Sequence, residues 1–364
     1  MKILIDAHVF DGKFQGSRTY IKGLYTEMIL LKKDWNFYFV AQNTNTLKEE
    51  FGDHPNVHYL SLKHHNKFIR LFWEIPQLIR KYQIDFSHFQ YIAPPIKRGK
   101  YIVTTHDILF EEERFRHFFP TKYRLINGTL FKRSAKLADI LLTVSEYSKN
   151  KISELYKINK KDIVVTSNAI NVNLDHLEKD NYIQEKYNCN KYILYVSRIE
   201  PRKNHISILR AYKNLELYKK GFELVFIGNQ DIKDVEYDNF IHENQSVFKD
   251  KLHLFSNIAE SELKKFYTNS EFVVYPSFAE GFGIPPLEGA VYKKPVLCSK
   301  ATAMAEFSFF NYFIDPFNQK EIEEAILEII NNQNENLEEI QQTILKKYDW
   351  KKSAQVLINT LTKE

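Results

Sequence analysis

At 364 residues the chain exceeds the roughly 250 to 300 at which a single core stops growing, so two domains are expected, and 44% hydrophobic residues with only 11 glycines exclude a disordered or low-complexity chain. The formal charge of +5 is unevenly spread: residues 1–170 hold 27 basic and 17 acidic residues, a balance of +10, and the remainder hold 24 and 29, a balance of −5. The first half alone therefore suits an anionic partner, such as a phospholipid surface or a lipid-linked diphosphate, while nucleic acid is disfavoured because no recognition helix or RNA-binding motif accompanies the charge.

Short apolar runs rich in β-branched and aromatic residues stand at 2–5, 36–40, 57–62, 85–89, 101–105, 139–144 and 162–166, with segments of helical period between them. After the first run, Ser17 is placed to cap a helix whose apolar face uses Ile21, Leu24, Tyr25, Met28 and Leu31. The alternation predicts a parallel, doubly wound α/β sheet. A polar stretch from 168 to about 190 reads as a hinge. Beyond it the pattern restarts at 192–196, 223–227, 252–255, 272–275 and 295–299, predicting a second sheet of the same kind. The expected domains are 1–170 and 171–345, with a terminal helix at 346–364 returning to the first. In open sheets of this class ligands lie beyond the carboxyl ends of the strands, so chemistry is expected at strand ends.

Asp6 interrupts the opening apolar run before a signal-peptide core can form, and no stretch approaches the roughly 18 apolar residues of a spanning helix, which predicts a soluble cytoplasmic protein. Cys189 and Cys298 are the only cysteines and show no ligand spacing, so neither a disulfide framework nor a zinc site is expected. Asp-x-Asp, His-Glu-x-x-His, the P-loop spacing and Gly-x-Ser-x-Gly are all missing, and no metal and no cofactor are expected.

The most specific run is Pro276-Ser277-Phe278-Ala279-Glu280-Gly281-Phe282-Gly283-Ile284-Pro285-Pro286-Leu287-Glu288, which follows the 272–275 strand. Gly281 and Gly283 allow backbone N–H groups to approach a ligand along 281–284, and Pro285 and Pro286 suit the entry of a helix whose positive end favours a diphosphate. Glu280 and Glu288, eight positions apart, supply carboxylates, which are good bidentate acceptors for vicinal hydroxyls. After the 192–196 strand, Arg198, Arg202 and Lys203 gather cations, a pair of which can stabilise a departing diphosphate without a metal; Arg202 could equally point to solvent or pair with a neighbouring acid and is left unassigned. His106 ends the 101–105 strand, and Gly16 and Ser17 stand where backbone N–H groups can face a phosphate.

The Glu280 to Glu288 run resembles the Glu-x7-Glu motif of retaining glycosyltransferases of family 4, and the similarity extends from Gly16 to Trp350. The resemblance implies a GT-B fold, two Rossmann-like domains facing a central cleft, and transfer of a hexose from a nucleoside-diphosphate sugar with retained configuration. It implies that Glu280 holds the donor sugar, Glu288 the ribose, Arg198 and Lys203 the diphosphate, and His106 a hydroxyl near the reacting carbon. It also implies that the Gly16 loop closes over the phosphates and that Asn257 and Ile258 meet the nucleobase edge. Ser145 matches a family strand end and also suits a helix cap. The segment 301–306 departs from the family's usual Leu-Pro-Glu, which leaves that loop without an assigned contact.

On the acceptor side, 63–73 and 114–124 mix cations with aromatics, as a membrane interface does. A saccharide acceptor on a lipid diphosphate, at the inner face of the cell membrane, is the expected partner. The run 199–204 resembles that of mannosyl- and rhamnosyltransferases of surface-polysaccharide assembly, which implies GDP-mannose as the favoured donor, with UDP- or dTDP-sugars as the other choices. The competing readings are an epimerase of the same fold or an inert sugar-nucleotide-binding subunit.

Overall fold

The computed structural model describes residues 1–12, 16–170, 179–332 and 336–363. The chain divides into two compact units, Met1–Ala169 with Tyr348–Glu364, and Ile170–Lys347.

The first unit is built on strands β1 (Lys2–Asp6), β2 (Asn36–Ala41), β3 (Val57–Ser61), β4 (Phe86–Gln90), β5 (Lys100–Thr104), β6 (Ile140–Thr143) and β7 (Ile163–Val165). They form one parallel sheet in the order β3-β2-β1-β4-β5-β6-β7. The order reverses between β1 and β4, the point at which a doubly wound sheet opens a crevice at its carboxyl edge. Both faces are covered, which is why these strands read as near-continuous apolar runs. Leu4, Val40, Phe89, Tyr101 and Val103 are buried within one cluster.

The helix Gly16–Leu31 buries Tyr20, Ile21, Leu24, Tyr25 and Met28. Because it begins at Gly16, Ser17 lies in its first turn and is not the cap expected of it. The terminal helix Trp350–Leu361 belongs to the same unit, where a Cβ on Gly23 would come within 2.1 Å of the Trp350 ring. Ser353 Oγ donates to the carbonyl of Ser167 at 2.7 Å. Only a residue without a side chain, here Gly23, permits so close an approach to the Trp350 ring.

The second unit contains β8 (Tyr192–Val196), β9 (Glu223–Ile227), β10 (Leu252–Phe255), β11 (Phe272–Tyr275), β12 (Val296–Ser299) and β13 (Tyr312–Ile314). All are parallel, in the order β10-β9-β8-β11-β12-β13, so the switch point falls between β8 and β11. Strand β13 was not among the expected elements, since three residues carry too little pattern to stand out. The expected hinge lies partly outside the described residues at 171–178, and its remainder is not structureless. A short helix, Tyr182–Tyr187, buries Ile183 and sets the Tyr187 ring 5.1 Å from Phe255 and from Phe266. Among the described residues, no helix is long and apolar enough to cross a membrane.

Candidate active site

A buried, charged cluster of the second unit forms at its switch point, where the segments after β8 and β11 meet. Beyond β8 a 3-10 turn, Pro201–Lys203, ends at Asn204 in the left-handed region (φ 61°). The Asn204 side chain donates to the carbonyls of Pro276 and Pro316, and Phe278 N–H donates to the Arg202 carbonyl at 2.9 Å. These bonds hold the two segments side by side. Lys203 Nζ donates to Glu280 Oε1 at 2.6 Å, and Arg202 Nη1 lies 3.2 Å from Glu280 Oε2. Tyr275 and Ser277 hydroxyls donate to the same Oε1 at 3.2 and 2.7 Å, and Glu280 N–H donates to Thr302 Oγ1 at 2.8 Å.

Burial alone would raise the Glu280 carboxyl, but the Lys203 and Arg202 charges and the hydrogen bonds outweigh it and bring its pKa down to about 2. Burial pulls Lys203 the other way, below the usual lysine value. With an ionised carboxylate 2.6 Å away, the charged pair is the state this geometry favours. Arg202 continues the pattern, bonding Glu200 Oε1 at 2.5 Å, and Arg198 Nη2 stands 3.6 Å from Glu200 Oε2. Cation and anion thus alternate through Arg198, Glu200, Arg202, Glu280 and Lys203, with Arg198 as the exposed member. Arg202, which sequence reasoning left unassigned, is the residue that joins the two carboxylates; a motif shows its position but not which way it points.

Glu288 lies within the helix Ile284–Val291, partly buried, and accepts a hydrogen bond from the buried Tyr267 hydroxyl at 2.7 Å. Burial raises its carboxyl above the usual value, opposed by that bond and assisted by Glu260. The two motif carboxylates are therefore pushed in opposite directions by their surroundings. Gly283 precedes the helix at φ 105°, where a side chain is strained, and a Cβ there would meet Met304 Cγ at 3.1 Å. Gly281 and Phe282 are buried in the same turn. Thr302 and Met304 belong to the loop that the family pattern left unassigned, and that loop braces the motif. After β10, Asn257 is exposed with φ 55° and Ile258 is partly buried. Gly228, after β9, admits no side chain, since a Cβ would fall 2.0 Å from the Ser197 carbonyl oxygen.

In the first unit, His106 is buried just beyond β5. Its Nε2 donates to Gln90 Oε1 at 2.6 Å, and the Tyr20 ring stands edge-on 5.0 Å away. Burial lowers its pKa to about 3, so the ring is neutral. Beneath it His88 bonds Tyr25 and Thr104, each at 2.7 Å. Gly16 is exposed and Ser17 partly buried, at the start of their helix; residues 13–15 of the same loop lie outside the described residues. Ser145 caps the helix Glu146–Tyr156, accepting from Ser148 N–H at 3.1 Å.

An open pocket of about 600 Å³ lies beyond β1 to β3, lined by Phe10, Asp11, Gln42, Asn43, Thr46, Leu62 and His65. Beside it Asp6 bonds His8 at 2.9 Å, with Arg70 at 3.7 Å. Arg70–Glu74 forms a π-helical turn that buries Leu71 and Glu74 and leaves Phe72 and Trp73 exposed. Phe68, in the turn before it, is exposed as well.

The model of glycosyltransferase family 4 matches residues 16–174, and that of glycosyl transferases group 1 matches residues 178–347. The chain is 27% identical to the O-antigen chain mannosyltransferase RfbU of Salmonella typhimurium over 65% of its own length and 62% of that protein, less than two thirds of the relative. It is 26% identical to the capsular polysaccharide biosynthesis glycosyltransferase CapM of Staphylococcus aureus, over 84% of this chain and 83% of that one. The structure of HepE from Anabaena with UDP and glucose superposes with a TM-score of 0.75, covering both chains in full at 16% identity, which speaks for the fold alone. Two parallel sheets of this topology and two transferase models covering nearly the whole length between them place the chain among the GT-B glycosyltransferases of family 4.

Proposed function

We propose that this glycosyltransferase moves a hexose, with retention and without a metal ion, from a nucleoside-diphosphate sugar to a lipid-diphosphate-linked saccharide in surface-polysaccharide assembly. The observation that carries the reading is the buried Lys203–Glu280 pair at the switch point, with Arg202 beside it and Arg198 at its exposed end. The polysaccharide context rests on the named activities of RfbU and CapM, and the former, a mannosyltransferase by name, supports mannose as the transferred sugar, with GDP-mannose as the donor favoured here.

In the proposed reaction the acceptor hydroxyl attacks the anomeric carbon as the bond from that carbon to the diphosphate oxygen breaks. The hydroxyl proton passes to the departing phosphate, and a nucleoside diphosphate leaves. Arg198 and Lys203 take up the charge that develops on the leaving group, a task fixed cations perform with little reorganisation. Glu280 orients the transferred sugar, Glu288 accepts from the ribose hydroxyls, and neutral His106 bonds a sugar hydroxyl. Gly16, Ser17 and the turn Gly281–Ile284 face the phosphates with backbone N–H groups, and Asn257 and Ile258 face the base. The Phe10 and Asp11 pocket takes the acceptor saccharide. Exposed Phe68, Phe72 and Trp73, next to Lys67 on the basic half of the chain, rest on the anionic inner face of the membrane.

The test is thermal stabilisation by GDP-, UDP- and dTDP-sugars in EDTA, for the wild type and Glu288→Ala. One nucleotide should stabilise the wild type by about 2.7 kcal/mol at a hundred times Kd and have no effect on Glu288→Ala. No stabilisation by any nucleotide sugar would overturn the donor site. The anomeric configuration of the product, read by NMR, decides retention.

A further inference from the structure

We propose that Cys189, Glu223 and His253 form a binding site for a zinc-class divalent cation on the edge of the second sheet opposite Glu280. In sequence the three residues are far apart and show no ligand spacing. The sheet order β10-β9-β8 brings them together: Glu223 opens β9, His253 is second in β10, and Cys189 stands three residues before β8. The Cys189 Sγ, a Glu223 carboxylate oxygen and a His253 ring nitrogen all lie within 4.8 Å of one another.

A tetrahedral zinc with bonds of about 2.0 to 2.3 Å sets its ligand atoms roughly 3.3 to 3.8 Å apart. Glu223 Oε2 and His253 Nε2 are already 3.2 Å apart, close to that spacing. Cys189 and Glu223 are buried, while the His253 side chain is 20% exposed and leaves the ion a way in. Lys251 Nζ, 3.4 Å from Glu223 Oε1, and Asn190 N–H, 3.2 Å from Oε2, hold the carboxylate in place, the outer support that metal ligands require. One thiolate and one carboxylate neutralise the divalent charge. The thiol proton leaves to solvent, the imidazole binds through the Nε2 lone pair with its proton on Nδ1, and a water completes the set. Thiolate and imidazole select zinc over magnesium or manganese. The cation would clip the starts of three adjacent strands and take no part in transfer, because the Lys203–Glu280 cluster follows the other ends of the strands.

The experiment is titration of the intact chain with Co²⁺ and then Zn²⁺, using the wild type, Cys189→Ser, His253→Ala and, as a control, Cys298→Ser. The wild type and Cys298→Ser should bind one Co²⁺ with a thiolate-to-cobalt charge-transfer band that Zn²⁺ displaces, and Zn²⁺ should raise Tm. Cys189→Ser should lose the band, and His253→Ala should bind Zn²⁺ at least tenfold more weakly. A wild type without the band, or a folded Cys189→Ser that keeps it, overturns the site. If Cys189→Ser does not fold, a Zn²⁺ shift in Tm left intact by His253→Ala does the same. Stabilisation by nucleotide sugars, followed in the same samples, should be unchanged in His253→Ala, so failure of the metal site and failure of the donor site give separate results.

Discussion

Lys203 holds its ammonium 2.6 Å from Oε1 of Glu280 although the two residues stand 77 positions apart, and both are buried. Each is the main reason the other can be charged there. Glu280→Gln would leave Lys203 and Arg202 short of an anion in a poorly solvated place, and breaking a buried pair from one side typically costs about 3 to 5 kcal/mol. Lys203→Met should be milder, since Arg202 still faces the carboxylate at 3.2 Å. The expected result is a double variant more stable than the sum of its parents implies, measured by urea unfolding of all four proteins. Loss of Lys203 should also lower kcat by about a hundredfold or more, the scale reported for a fixed donor to a developing anion. A purely additive double variant would show that the pair is not coupled.

Gly283 is where the motif depends on backbone freedom. With φ at 105° and Met304 Cγ 3.1 Å from the place a Cβ would take, Gly283→Ala meets both strain and contact. Destabilisation of about 1 to 3 kcal/mol is expected. Gly12, exposed and with nothing within 4 Å of the place a Cβ would take, should tolerate alanine better in the same unfolding assay. Equal losses at the two positions would show that the φ of Gly283 is not the controlling factor.

The strand pattern was legible because parallel strands covered on both faces are continuous apolar runs, and β8, β9, β10 and β11 begin and end where those runs do. Helix starts were less legible: Gly16 opens the first helix and Ser17 follows it, although serine is the better cap by composition. The motif positions lie at the strand ends where such a sheet collects ligands, but orientation did not show in the residues. Nothing in the run from Arg198 to Lys203 says that Arg202 turns inward onto Glu280 while Arg198 remains exposed; the hydrogen bonds that Arg202 donates to the Ala279 carbonyl and that Glu280 N–H donates to Thr302 Oγ1 decide it. The Cys189, Glu223 and His253 group is equally silent in linear order, because its proximity is a product of strand order alone.

The buried imidazoles predict how stability follows pH. His106 falls to about 3 and so does His88, both through burial, and for His88 also through the nearby His106. The unfolded chain, with histidines near 6.5, binds these protons more readily than the folded one. Stability is therefore intact above about 6.5 and declines as pH falls from there towards 3, by about 1.4 kcal/mol per pH unit for each histidine. Between pH 6.5 and 4.5, Tm should fall less steeply for His106→Gln than for the wild type, while carboxyls that burial raises, such as Glu288, contribute equally to both proteins. Parallel curves would show that His106 is protonated in the folded protein.

Glu288 offers a pH test of a different kind, because only its ionised form can accept from two ribose hydroxyls. Burial places its carboxyl above the ordinary range, and the Tyr267 hydroxyl, 2.7 Å away, is the interaction that restrains the rise. Affinity for the preferred nucleotide should be level at high pH and fall towards tenfold per unit once pH drops below the Glu288 value. Tyr267→Phe removes the restraint, so its midpoint should move upward while affinity at pH 8 changes little. Glu288→Gln should bind weakly at every pH, with no midpoint. Calorimetry of the three proteins from pH 5 to 8 separates the outcomes: a midpoint unmoved by Tyr267→Phe would assign the titration to another group, whereas an upward shift ties nucleotide recognition to one carboxylate and the tyrosine that keeps it charged.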